Sequence, residues 1–266
     1  MKIAVMPNNA KEGALCLAEA ILKEFPCNCF LVQDCEDYGN FDIALVLGGD
    51  GTILRAVKAF GNIPVLGINF GTVGYMASAE KEGAIEAVKK VLCGEYKVEE
   101  RMMLSVSVLR EGKVISESTA LNDGVITRCE RILSISESFN EKLVYSFSGD
   151  GIIVATPTGS TAYSLSAGGP VAPPDMQMII TTPVCPHSIH IRPVIASGDT
   201  EVKIKLSETE GNAGMLNVDG QNITKLEAGD QVVFSRSENK AKLILLEEKN
   251  FYDILRYKLS GEKGEK

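Results

Sequence analysis

The chain has 266 residues, of which 45% are hydrophobic and 23% charged, and it has no tryptophan. This composition is typical of an ordinary globular protein, and the length favours two domains of modest size. The 35 acidic and 27 basic residues give a formal net charge of −8, which excludes a general affinity for nucleic-acid backbones because no basic stripe offsets the repulsion.

Short apolar runs alternate with helical patterns over the first hundred residues. Strands are predicted at 2–6, 29–32, 41–47 and 63–68, and helices at 10–25 and 84–92. A continuous apolar run such as 43–47 is typical of a strand that is buried on both faces of a parallel sheet. We therefore predict an α/β domain with an open, mostly parallel sheet over residues 1–98.

The second half has a different pattern, in which apolar and polar residues alternate strictly. The alternation is clearest at 104–108, 133–136 and 202–206, and it predicts antiparallel strands with one polar face. We therefore predict a mainly antiparallel, all-β domain over residues 99–266. The stretch 251–257 has apolar residues at helical spacing, which leaves open a return of 251–266 to the first domain.

The glycine-rich turn Gly48-Gly49-Asp50-Gly51-Thr52 follows a predicted buried strand and precedes a helix. Open α/β sheets bind ligands at this position, and glycines allow main-chain amides to approach phosphate oxygens. An acid beside such amides can deprotonate an attacking hydroxyl, which favours phosphoryl transfer. The alternative is that Asp50 or Thr52 only caps the helix. Neither the GxxxxGK[ST] loop nor the protein-kinase motifs are present.

Two further segments carry polar groups suited to a nucleotide. Asn122-Asp123 lies between predicted strands and offers both hydrogen-bond directions, although a bare pair of this kind is also common turn chemistry. The segment 147–170 passes from a strand into a short helix with hydroxyls at 158, 160, 161, 163 and 166. Five hydroxyls exceed what one helix cap requires, but small residues at a tight domain junction are the alternative.

Together these segments resemble the NAD kinase family over nearly the whole chain. The matching segments, in order, are 48–52, 67–75, the pair 122–123, 149–170 and 217–221. The resemblance implies transfer of the γ-phosphoryl group of ATP to the 2′-hydroxyl of the adenosine ribose of NAD, which gives NADP. The turn at 48–52 alone is shared with diacylglycerol and sphingosine kinases, so 149–170 is the specific signal.

The resemblance also implies roles for individual residues. Asp50 would accept the proton, Gly51 would lie against the dinucleotide, and Asp150 would bind the far nucleoside. The other implied nucleotide contacts are Tyr75, Asn122, Asp123, Thr158, Thr161, Ala162, Tyr163, Ser166 and Gln221. Ser148 stands where some relatives carry arginine, so a phosphate contact is either missing or supplied by Arg131 or Arg55. Arg55 has the alternative of being a solvated helix charge.

Cofactor, partners and compartment complete the expectations. Mg²⁺, or another divalent cation, is expected on the ATP phosphates, because no cluster of carboxylates forms a dedicated metal site. Seven scattered cysteines without a CxxC pair, an early polar break at Asn8 and short apolar runs predict a cytoplasmic protein without membrane contact. A homodimer or homotetramer is expected by resemblance. A lipid kinase and a non-catalytic dinucleotide sensor remain the alternatives.

Overall fold

The computed structural model describes residues 1–32, 39–71, 74–209, 211–247 and 250–260. The chain divides into two compact units, one of Met1–Glu100 with Ala241–Lys266 and one of Arg101–Lys240. Residues 241–247 were assigned to the second domain from sequence, whereas they belong to the first unit. No helix in the described ranges is long and apolar enough to cross a membrane.

Helices are concentrated in the first unit of the described chain, and strands dominate the second. The first part of the chain forms β1 (Ile3–Pro7), α1 (Ala14–Glu24), β2 (Cys29–Leu31), β3 (Ile43–Gly48), α2 (Asp50–Phe60), β4 (Val65–Asn69), β5 (Ala79–Glu80), α3 (Ala84–Leu92) and β6 (Lys97–Arg101). The middle part forms β7 (Leu104–Arg110), β8 (Lys113–Ala120), β9 (Asp123–Arg128), β10 (Leu133–Phe139), β11 (Lys142–Gly149), β12 (Gly151–Ala155), α4 (Tyr163–Ser166), β13 (Met178–Val184), β14 (Val194–Ser197), β15 (Val202–Leu206), β16 (Gly214–Val218), β17 (Gln221–Leu226) and β18 (Gln231–Arg236). The last part forms β19 (Ala241–Leu245) and α5 (Phe251–Ser260).

The first unit contains the predicted parallel sheet. Its strand order is β2-β1-β3-β4-β19-β6, with β5 beside β4, and β1, β2, β3 and β4 pair in parallel. Every residue of β3 is buried, as its continuous apolar run predicts. This sheet places the end of β3, and the turn that follows it, at the edge where ligands bind in open α/β folds.

The first unit differs from the sequence expectation most clearly at the start of α1 and in the position of β19. Helix α1 begins at Ala14 rather than at residue 10, because Gly13 adopts a left-handed φ of 81° that a helix does not continue through. Strand β19 pairs in parallel with β4, with Leu243 opposite Val65. A short, mostly apolar strand such as β19 has the same pattern whichever sheet it joins, so its return to this unit was not predictable from periodicity.

The second unit consists of two antiparallel sheets that share one core, and its antiparallel, all-β class was predicted from sequence. Their strand orders are β11-β10-β15-β18-β7-β8 and β14-β13-β12-β9-β16-β17. Side chains from both sheets, among them Val106, Phe234, Ile126 and Leu216, are buried in the same cluster. Strict alternation along strands such as β7, β10 and β15 turns one apolar face of their sheet toward this core.

Glu137 is a charged residue in that core. It lies on β10 with no exposed surface, and neither carboxylate oxygen has a hydrogen-bond partner of normal geometry among the described residues. Burial raises the pKa of its carboxyl group, and the nearby Thr181 hydroxyl offsets only part of this rise. Because the folded-state pKa lies above the unfolded value of about 4.3, stability falls as the pH rises from that value through the folded-state pKa.

The variant Glu137→Gln is therefore expected to be more stable than the wild type at pH 8, by about 1–3 kcal/mol. The glutamine side chain is neutral at every pH. In the wild type at pH 8, Glu137 must either bind a proton or carry a buried negative charge, and each costs free energy. Urea unfolding between pH 4 and pH 8 measures the difference, which should shrink toward the acid end. Glu117→Gln, at an exposed position on β8, is the matched control. A difference that does not change with pH would contradict this account of Glu137.

Candidate active site

The first part of the candidate site is the turn that joins β3 to α2. Helix α2 begins at Asp50 with Gly49 as its N-cap, and no side chain makes a capping hydrogen bond there. Capping therefore does not account for Asp50. A Cβ atom on Gly48 would lie 2.5 Å from Thr52 Oγ1, so this position requires glycine. The turn stands at the amino end of a helix, where the unpaired amides and the helix dipole favour anions.

The Asp50 carboxylate is held by main-chain amides from the segment after β4. Tyr75 N donates to Oδ2 at 2.9 Å, and Met76 N donates to Oδ1 at 3.1 Å. Gly74 makes this approach possible, because a Cβ atom there would collide with the carboxylate. The amides of the turn were assigned to phosphate oxygens from sequence, and these two donors from residues 75 and 76 were not identified. Both oxygens are thereby fixed in one orientation.

Tyr75 lies beside Asp50 and contacts the C-terminal helix. Its ring centroid is 6.0 Å from that of Phe251 on α5, and the ammonium group of Lys258 lies 4.4 Å from the ring centroid. Burial raises the pKa of the Tyr75 hydroxyl, and the charge of Asp50 raises it further. The helix α5 thus packs within the first unit, and it brings a cation to the neighbourhood of the candidate base.

Two other predicted residues of the first unit lie on α2. Gly51 is exposed, and a Cβ atom added to it would meet nothing within 4 Å, so sterics do not require glycine there. Arg55 is exposed one turn further along the helix. Its exposure is compatible with both readings offered by the sequence, a phosphate contact and a solvated helix charge.

In the second unit, Asp219 organises the Asn122-Asp123 pair. Its carboxylate accepts hydrogen bonds from the amides of Leu121, Asn122 and Asp123 at 2.9, 2.8 and 3.2 Å. Asp219 has a positive φ of 51° on the turn between β16 and β17. Sequence reasoning assigned no role to Asp219, although the matching segment 217–221 included it. Asp219 fixes the backbone that presents the predicted nucleotide-binding pair.

Asp123 itself is a buried carboxylic acid, with 5% of its surface exposed. Burial and, to a lesser degree, the neighbouring Asp219 raise the pKa of Asp123 to about 7. The Asp123 carboxyl group therefore changes between its neutral and charged forms near neutral pH. A neutral carboxyl group can donate a hydrogen bond as well as accept one, which suits contact with a ribose diol or a purine edge.

The segment after β12 makes hydrogen bonds to residues 121 and 122 through its backbone and hydroxyl groups. Thr156 N donates to the Asn122 carbonyl at 2.8 Å, and Thr156 Oγ1 donates to the Leu121 carbonyl at 2.5 Å. A Cβ atom on Gly159 would collide with the Asn122 carbonyl oxygen, so glycine permits this contact. The glycine and the threonine thereby fix residues 156–166, which we call the second block, against residues 121 and 122.

The hydroxyls of the second block divide into two groups. Ser160 and Ser164 are buried and bonded within the fold, to Ala172 and to Thr182. Thr158 is also largely buried, with the Arg101 guanidinium 3.4 Å from its hydroxyl. The accessible members of the predicted set are Thr161 and Ala162, which are half-buried, and Tyr163 and Ser166, which are exposed. Only part of the predicted hydroxyl cluster therefore faces solvent.

Asp150 and Arg131 lie elsewhere in the second unit. Arg128 Nε donates to Asp150 Oδ1 at 2.6 Å, an ion pair that sequence reasoning did not find. Arg131 is exposed and, with Lys225 and neighbouring residues, lines a cavity of about 520 Å³. Ser148, the position where some relatives carry arginine, lies with its hydroxyl 3.3 Å from that of Ser134.

The last predicted residue of the second unit is Gln221, which is exposed at the start of β17 and two residues beyond Asp219. The structure thus gathers Asn122, Asp123, the second block and the turn at 219–220 into one neighbourhood. A metal cage is not part of it: within the described ranges, no group of three or more His, Cys, Asp or Glu residues is placed to hold a metal ion.

Comparisons with known proteins find matches along most of the chain. A family model described as the ATP-NAD kinase N-terminal domain matches residues 16–96, and one described as the C-terminal domain matches residues 122–246. The NAD kinase of Acetivibrio thermocellus is 41% identical, covering 100% of this chain and 99% of its own length. The NAD kinase of Clostridium perfringens strain 13 is 39% identical over 86% of this chain and 84% of its own.

Solved structures give the same relationship. An NAD kinase from Archaeoglobus fulgidus in complex with ATP has a TM-score of 0.80 and 26% identity, covering 98% of this chain and all of its own. Yeast NADH kinase complexed with NADH has a TM-score of 0.85, covering 100% of this chain and 89% of its own, and its 23% identity supports the fold alone.

Proposed function

The chain belongs to the ATP-NAD kinase family, and from this premise we propose that Asp50 is the general base of its reaction. The enzyme transfers the γ-phosphoryl group of ATP to the 2′-hydroxyl of the adenosine ribose of NAD and so forms NADP. A ribose hydroxyl is a poor nucleophile near pH 7, because its proton must leave as the new bond forms. The enzyme therefore needs an oriented base and charge stabilisation for the phosphoryl group.

The orientation of Asp50 is the observation that supports the proposal. Both carboxylate oxygens accept main-chain hydrogen bonds, and each keeps a lone pair for a further hydrogen bond. In the proposed step, the 2′-oxygen forms a bond to the γ-phosphorus and its proton passes to Asp50. The bond from that phosphorus to the bridging oxygen breaks, and ADP leaves. A positioned base of this kind typically contributes about 10²- to 10⁴-fold to the rate.

The nucleotide contacts of the second unit follow from its accessible polar groups. We assign the adenosine portion of NAD to Asn122 and Asp123, which Asp219 holds in place. The adenine and ribose contacts are assigned to the accessible members of the second block, Thr161, Ala162, Tyr163 and Ser166, and to Gln221. Asp150, oriented by Arg128, is assigned to the far nucleoside. Thr158, which is largely buried, contributes by supporting the block rather than by broad ligand contact.

Magnesium enters this scheme as part of the ATP substrate. Mg²⁺ usually keeps several waters and binds through phosphate oxygens rather than through an all-protein cage. We therefore expect the cation to arrive with the nucleotide phosphates. When bound, the cation neutralises phosphate charge, while the side chains of this chain orient the substrates and accept the proton.

The proposal also includes a cellular compartment and an oligomeric state. We place the reaction in the reducing cytoplasm, in keeping with six free cysteines in the described ranges. We also expect a homodimer or homotetramer, on family resemblance. Size-exclusion chromatography with light scattering distinguishes these assemblies from a monomer.

A coupled assay tests the proposed function directly. The purified protein is incubated with ATP and Mg²⁺, and either NAD or diacylglycerol. A dehydrogenase specific for NADP reports NADP, and a second coupled assay reports ADP. NADP formation with NAD supports the proposal. ADP release with diacylglycerol alone would indicate a lipid kinase, and NAD binding without ADP release would indicate a sensor. The family matches do not favour either of these outcomes.

The variant Gly74→Ala tests how strongly kcat depends on the orientation of Asp50. The added methyl group must displace the carboxylate, and a misplacement of about 1 Å can lower a rate by about 10²-fold. We expect kcat to fall by about 10- to 100-fold with the fold intact. Gly83→Ala is the matched control, because a Cβ atom there meets nothing within 4 Å. Equal kcat values for the two variants would show that Asp50 does not need its observed orientation.

A further inference from the structure

Helix α5 places a lysine beside the candidate base. Lys258 Nζ lies 4.0 Å from Asp50 Oδ2 and 4.4 Å from the centroid of the Tyr75 ring. The Lys258 and Asp50 side chains are 30% and 28% exposed, so the ammonium group is partly withdrawn from water. Sequence reasoning found neither this lysine nor a reason for it.

An aromatic contact on the same helix fixes the position of Lys258. Phe251 lies seven residues earlier, which is two helical turns and therefore the same face of α5. Its ring packs against Tyr75 at 6.0 Å, and the backbone of Tyr75 binds Asp50. The aromatic pair thus positions the ammonium group relative to the carboxylate through one continuous set of contacts within the first unit.

From this geometry we propose that Lys258 is a catalytic residue that contacts the transferring phosphoryl group and stabilises its charge. The inference rests on the proposed role of Asp50. A hydroxyl bound to that base lies about 2.6–3.2 Å from a carboxylate oxygen, and the attacked phosphorus lies about 3–3.5 Å beyond it. An ammonium group 4.0 Å from the same carboxylate is therefore within reach of the equatorial phosphoryl oxygens. Lys258 takes part in no bond change and supplies positive charge as negative charge develops.

A purely structural role for Lys258 makes different predictions. An ion pair at 4.0 Å between partly exposed groups contributes little to stability, and so does a cation over an accessible tyrosine ring. If Lys258 only held α5 in place, its removal would lower the thermal midpoint of unfolding slightly and leave kcat unchanged. If it stabilises the transition state, its loss lowers kcat while NAD affinity is kept.

The variants Lys258→Met and Lys258→Arg separate these roles. Methionine keeps an unbranched stem over Tyr75 and removes the charge, and we expect kcat to fall by about 10²- to 10³-fold. Arginine keeps the charge, so it should restore most of that loss. Arg256→Met is the matched control, since Arg256 is a cation on the same helix that pairs with Asp253. Its kcat should stay within about threefold of the wild type.

Three measurements decide the outcome: kcat, the KM for NAD and the thermal midpoint. A large loss of kcat in Lys258→Met, with the other two quantities unchanged and rescue by arginine, supports the proposal. Equal kcat values for Lys258→Met and Arg256→Met would overturn it, and so would a loss of kcat that arginine does not rescue. If the wild type itself forms no NADP from ATP and NAD, the proposed function fails first and Lys258 loses its role with it.

Discussion

Asp50→Asn is expected to lower kcat for NADP formation by about 10²- to 10⁴-fold, while NAD still binds with nearly wild-type affinity. Asparagine has the size of aspartate but cannot take up the proton of the ribose hydroxyl. Its amide nitrogen must also face one of the two main-chain donors, Tyr75 N or Met76 N, which normally meet a carboxylate oxygen. A small loss of stability therefore accompanies the loss of rate.

Steady-state kinetics and calorimetric NAD binding measure the two effects separately. Asp42→Asn provides the control for removal of one negative charge, because Asp42 is an exposed residue of the same unit and its carboxylate accepts the Lys2 amide. Its kcat should match that of the wild type. An Asp50→Asn enzyme with unchanged turnover would remove Asp50 from the proposed role, whatever its NAD affinity.

Asp219→Ala has the second large expected effect, on both stability and NAD binding. The change leaves three main-chain amides, those of residues 121–123, without their carboxylate acceptor. Hydrogen bonds to charged groups are individually strong, but Asp219 is only half-buried and water replaces part of the loss. We expect the free energy of unfolding to fall by about 2–4 kcal/mol and the Kd for NAD to rise by about tenfold or more.

Urea unfolding and isothermal titration with NAD test this expectation. Asp219→Asn keeps one acceptor and removes the charge, so it should lie between the wild type and the alanine variant. Removing the charge should also lower the pKa of Asp123, which stands at about 7 beside Asp219. An alanine variant that keeps wild-type stability and wild-type NAD affinity would show that Asp219 does not organise the Asn122-Asp123 pair.

Local patterns predicted the parts of the fold that depend on neighbours in sequence. The buried run of β3 and the turn after it were located from their apolar and glycine residues, because strand burial and turn chemistry are local properties. The alternation of β7, β10 and β15 likewise predicted antiparallel sheets. The fold class of both units could therefore be predicted from the sequence alone.

Long-range contacts were not predictable in the same way. Asp219 lies 98 residues from Leu121, and neither local pattern contains a sign of the other. Lys258 has the appearance of a solvated charge on an amphipathic helix, and only the packing of Phe251 on Tyr75 brings it to Asp50. The donors to Asp50 were also not identified, because the sequence shows which residues form a turn but not which distant backbone segment contacts it.

The most direct test of the central claim is a crystal structure of the wild-type enzyme with NAD and a non-hydrolysable ATP analogue. The account predicts that one carboxylate oxygen of Asp50 lies about 2.6–3.2 Å from the 2′-oxygen of the adenosine ribose. The 2′-oxygen should in turn face the γ-phosphorus, with the amides of Tyr75 and Met76 still bound to the carboxylate. A complex in which Asp50 points away from the ribose, and the 2′-hydroxyl contacts another group, would contradict the account.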